Sequence, residues 1–220
     1  LRPNHFMRCH TCFIFLLLPL AICNGNADSA LHGKRHRNAG IMPSGETVYE
    51  TIKNIPLPAG FKRQHTDQNS FASYLSSIEL KRNKTVYLFN GQPKFNQSAQ
   101  FAVLNVSVGA RNLQQCADAV MRLRAEYLFK QEAFDKIVFF DNDHRVYKFC
   151  PPYTRDNFKA YLNKVFGMCG TASLCKQLKP VADFYNIQPR NVLIRGGFPG
   201  HAVMVMDVAV NENGKKIYLL

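Results

Sequence analysis

Apolar residues recur at helical spacing in several stretches of this chain. Phe71, Ala72, Tyr74, Leu75 and Ile78 predict a short helix over 71–78. Cys116, Val120, Leu123 and Tyr127 fall at i, i+4, i+7 and i+11, predicting a helix that reaches about Lys130. Asn112 can cap its start, and Gln115 three residues on completes a capping-box pattern. Phe158, Tyr161, Leu162 and Val165 predict a third helix over 155–166, and Gly170-Thr171 then offers a stop and a fresh cap for a fourth, through Leu178 and limited by Pro180.

Extended runs lie between and after these helices. Residues 85–89, ended by Asn90-Gly91, and 100–108 read as strands. Residues 137–140 and 146–149 read as a hairpin whose turn is Asp141-Asn142-Asp143-His144. Strands follow at 192–194, at 202–210 and, after a turn at Asn211-Glu212-Asn213-Gly214, from Lys215 onward. Helix-rich and strand-rich stretches are partly segregated, so the expected class is α+β with an antiparallel sheet.

Composition changes the picture mainly at the N-terminal end. Arg8 precedes an apolar stretch from Cys12 to Cys23 and then polar residues, the pattern of an export leader over 1–27. Leu20-Ala21-Ile22-Cys23 resembles a bacterial lipobox, which would make Cys23 a lipid anchor; cleavage near Gly25-Asn26-Ala27 is the competing reading. Either way the expected location is exported, in the periplasm or as an outer-membrane lipoprotein. Residues 28–55 lack an apolar period and read as a flexible arm, leaving 56–220 as a single domain. With 46% hydrophobic residues in 220, no second core is required.

The formal charge is +13, and losing Arg2 and Arg8 with the leader leaves +11. For an exported protein such charge points to a cell-wall peptide or anionic envelope polymer, or to the membrane, rather than to nucleic acid. No basic run is interleaved with aromatics in a nucleic-acid-binding pattern. Cys9 and Cys12 belong to the leader, and neither metal nor cofactor is expected. Cys150, Cys169 and Cys175 read by default as buried free thiols. Asn83, Asn96 and Asn105 head N-glycosylation tripeptides, which a bacterial-type leader makes chance matches.

Cys116 carries the chemistry that is left. At a helix start the partial positive charge favours thiolate, the nucleophilic form. Its place on an apolar stripe equally suits a small core residue. His201 is the candidate base, opening an apolar run directly after Gly196-Gly197-Phe198-Pro199-Gly200. With Val210 facing Lys215, the strand partner of His201 falls roughly four residues past Leu220, so the group that orients the histidine is expected to be missing and the domain to be C-terminally truncated. Asp207 lies about 20 Å from His201 along a strand and cannot orient it.

From about Phe61 to Leu220 the chain resembles the exported bacterial family called domain of unknown function 4846. The likeness runs through Gln114-Gln115-Cys116-Ala117-Asp118-Ala119-Val120-Met121-Arg122-Leu123-Arg124-Ala125-Glu126-Tyr127-Leu128, Gly170-Thr171 and Gly196-Gly197-Phe198-Pro199-Gly200-His201-Ala202-Val203. More distantly, Gln188-Pro189-Arg190-Asn191-Val192-Leu193-Ile194, the glycine loop and Gly200-His201-Ala202-Val203 resemble papain-like cell-wall hydrolases of the NlpC/P60 and CHAP type, with Arg190-Asn191 in place of their usual Gly-Asp. That resemblance implies a papain-like arrangement, with the Cys-bearing helix packed on an antiparallel sheet. It implies a Cys-His amidase or peptidase at the envelope: Cys116 attacks a carbonyl, His201 shuttles the proton, and the helix-start amides, with Gln115 as a further donor, stabilise the oxyanion. Gly197 and Gly200 would let substrate approach the backbone, or would simply make a tight connection. The alternative is a non-catalytic envelope-binding or lipoprotein domain with a basic surface.

Overall fold

The computed structural model describes residues 49–220, so Cys23, the leader and most of the arm lie outside it. Its elements are β1 (Phe61–Arg63), α1 (Phe71–Ser76), α2 (Cys116–Lys130), β2 (Val138–Phe140), β3 (Val146–Lys148), α3 (Arg155–Met168), α4 (Thr171–Gln177), β4 (Val192–Arg195), β5 (His201–Met204), β6 (Asp207–Asn211) and β7 (Lys216–Leu219). The class is α+β. The strands form three small antiparallel sheets, in the orders β1-β6-β7, β2-β3 and β4-β5.

Local chemistry accounts for most of the boundaries. Ser70 and Thr154 cap α1 and α3 by accepting the Ser73 and Asn157 amides, satisfying donors that a helix start leaves open. The β2-β3 turn closes on Asp141, whose carboxylate accepts the Asp143 and Arg145 amides at 2.9 Å and the Tyr147 hydroxyl at 2.9 Å. His144 sits in that turn with a positive φ of 61°.

Three expectations are changed. Residues 85–89 and 100–108 do not form strands: the first makes one isolated bridge, Tyr87 to Pro93, within a local hairpin, and the second one, Leu80 to Leu104. The run 202–210 is divided. Met204, Val205 and Met206 are buried in succession, and a single strand cannot put three neighbours on one face. At that point pairing switches: Val205 N–H donates to the Asn191 carbonyl, whereas Met206 N–H donates to that of Leu219. Finally, Val210 faces Lys216 rather than Lys215, one residue away from the expected register.

The aromatic part of the core lies between α2, α3 and β2-β3. Phe139, Phe149 and Phe158 are fully buried. Phe129 meets Phe158 at 4.5 Å and Phe149 at 6.0 Å between ring centroids, with Arg155 stacked 4.3 Å over Phe129. The packed body reaches back before residue 56: Ile52 is 1% exposed, and a backbone bond from Leu80 to Glu50 holds that segment.

Candidate functional site

Helix α2 begins at Cys116, with Gln115 rather than Asn112 as its capping residue. The segment before it is pinned by Arg122, which donates to the Ser107 carbonyl and, at 2.8 Å, to Gln114 Oε1. The Gln115 amide donates to Asp118 Oδ2 at 2.9 Å. That bond holds the first turn from within. The Gln115 side chain itself is exposed.

Ala117, Val120, Met121 and Ala125 enter the same buried cluster as Ala202 and Met204 of β5 and Leu174 of α4. Helix α2 therefore packs on the strand that His201 opens. The β4-β5 register pairs Val192 with Met204 and Ile194 with Ala202 on the inward face, and Leu193 with Val203 and Arg195 with His201 on the other. His201 is thus exposed beside Arg195. Cys116 is half-buried on a stripe with Val120 and Leu123. Among the described residues, no hydrogen bond joins the Cys116 thiol to the His201 ring.

The glycine loop is seated on α4. The Thr171 hydroxyl donates to the Gly197 carbonyl at 3.0 Å, and Gly197 has a φ of 129°, a conformation suited to glycine. A Cβ on Gly200 would come within 2.0 Å of Thr171 Oγ1 and 2.6 Å of the Gly197 carbonyl. The bare side of Gly200 faces its own chain, so a tight connection, rather than substrate approach, accounts for this glycine. Gly170-Thr171 and the loop at 196–200, distant in sequence, form one structural unit.

Sequence reasoning passed over Asp118. Although buried, it leaves Oδ1 without a partner. Burial pushes its carboxyl up to about 6, against the Gln115 amide, which favours the charged form. An acid three residues after a helix cap was the signal available. Cys169, nearby, is pushed up to about 12 by burial, reinforced by Asp141 and Asp118. It is an inert interior thiol. Cys150 and Cys175, by contrast, are exposed free thiols rather than buried ones. Asp207 is engaged elsewhere, by Arg63 Nε at 2.7 Å. No cluster of metal-ligating side chains, and no helix long and apolar enough to cross a membrane, occurs among the described residues.

The family profile described as Domain of unknown function (4846) matches residues 51–150 and 141–220, so the chain belongs to that family. No curated protein and no solved structure matches the chain.

Proposed function

We propose that this chain is a papain-like Cys-His hydrolase acting on an amide or peptide bond at the cell envelope, exported behind its leader. The observation that carries this reading is the packing of α2, which starts at Cys116, on β5, which starts at His201. Cys116 is the nucleophile. Amides at the α2 start and the exposed Gln115 side chain supply oxyanion donors, and His201 carries the proton to the leaving group. Because the β4-β5 register turns His201 to the face of β5 away from α2, the reaction needs the His201 ring to swing across the start of β5 to reach the thiol when substrate docks.

A peptidyl chloromethyl ketone tests it. The expected result is a single adduct on Cys116, lost in His201→Ala while the fold persists; alkylation spread equally over the exposed Cys150 and Cys175 contradicts it. A second reading, a non-catalytic domain that holds an anionic wall polymer, is favoured by the outward pairing of Arg195 with His201 and by Phe198, 85% exposed at the loop tip. It predicts no adduct preference and a polymer affinity that falls in Arg195→Ser.

A further inference from the structure

The segment 81–101 contains Lys81, Arg82, Lys84 and Lys94 and no acidic residue. It projects as a hairpin finger, nearly all of it exposed. The finger is built rather than loose. Gly91 N–H donates to the Leu88 carbonyl at 3.0 Å and closes the apical turn, while Leu88 N–H to Gln92 and Lys94 N–H to Val86 zip its sides. The Gln97 side chain bridges both sides, accepting the Val86 amide and donating to the Val86 and Lys94 carbonyls.

Its apex runs against turn chemistry. Turns ordinarily carry polar residues, yet Leu88 and Phe89 occupy the first two positions, 45% and 39% exposed. Tyr87, 46% exposed, adjoins them, and Phe95 has no cover at all. The apolar apex is flanked on the chain by Lys81, Arg82 and Lys84 on one side and Lys94 on the other. We infer that this finger is a docking element for an anionic bilayer surface: the apex side chains enter the headgroup boundary and the cations meet lipid phosphates. A hydrated polymer would use the cations but leave the apex in water. The site is separate from Cys116 and His201, and stands or falls independently of the hydrolase reading.

The chain contains no Trp, so Phe89→Trp installs a single indole, excited selectively over the tyrosines, at the apex. With phosphatidylcholine vesicles holding about 30% phosphatidylglycerol, its emission shifts to the blue, whereas Phe184→Trp, exposed at another part of the surface, stays unshifted. In sedimentation of the full chain with the same vesicles, Leu88→Ser with Phe89→Ser weakens binding by about tenfold or more. Each of Lys81→Gln and Arg82→Gln weakens it about fivefold. Circular dichroism matching the unaltered chain confirms that the variants fold. Equal vesicle binding by the double apex variant and the unaltered chain overturns the inference. So does an unshifted Phe89→Trp, or loss of binding in the lysine and arginine variants with no effect at the apex, which marks a polyanion patch instead.

Discussion

Asp118 ties the start of α2 to the interior through a single carboxyl, with one oxygen on the Gln115 amide and the other unpartnered. The folded chain holds the Asp118 proton more tightly than the unfolded chain does, because burial pushes this carboxyl up to about 6. Its contribution is therefore fully present below about pH 4 and is lost as pH rises through about 6. Asp118→Asn keeps an acceptor for Gln115 and cannot ionise. Urea unfolding is expected to find the variant more stable than the parent at about pH 7.5 and level with it at about pH 4; a deficit at both values contradicts the assignment. Gly200 is the second residue with a sharp requirement. Gly200→Ala is expected to lose about 1–3 kcal/mol by overpacking. Adding Thr171→Ala restores only part of this, because the Gly197 carbonyl stays 2.6 Å from the new Cβ.

Among the elements, those set by local signals were legible and those set by distant partners were not. The 3.6-residue period from Cys116 to Tyr127 marks α2, whose cap is nevertheless Gln115 and not Asn112, and the apolar spacing of Phe158, Tyr161, Leu162 and Val165 marks α3. The turn at Asp141 was equally readable, because its side chain organises the backbone within four residues. Residues 100–108 look like a strand by composition, but strand identity needs a neighbour, and only Leu104 finds one. The division of 202–210 was hidden for the same reason: Val205 and Met206 are both apolar, and which sheet each joins is decided by Asn191 and Leu219. The facing of His201 follows from that pairing. Where the fold rests on interlocked aromatics, a single truncation has a large effect, and Phe158→Ala is expected to cost about 3–5 kcal/mol in denaturant midpoints analysed at constant slope.

For the whole molecule, three stretches that bear the family likeness, the α2 start, Gly170-Thr171 and the glycine loop with His201, are gathered around the β4-β5 hairpin. Sequence identified each stretch but not their assembly, since Thr171 and Gly197 meet only through the packing of α4 on β4. The basic finger at 81–101 lies apart from that assembly in sequence and is held by its own hydrogen bonds, so loss of the apex leaves the core intact. The central claim concerns the thiol that begins α2. The most direct measurement is the rate of labelling at about pH 6 by a peptidyl chloromethyl ketone, which docks as a substrate does, read for each cysteine by mass spectrometry in the parent and in His201→Ala. The account predicts that Cys116 reacts faster than the more exposed Cys150 and Cys175, and that this advantage disappears with His201. Labelling of Cys116 no faster than of Cys150, with no change in His201→Ala, would contradict it.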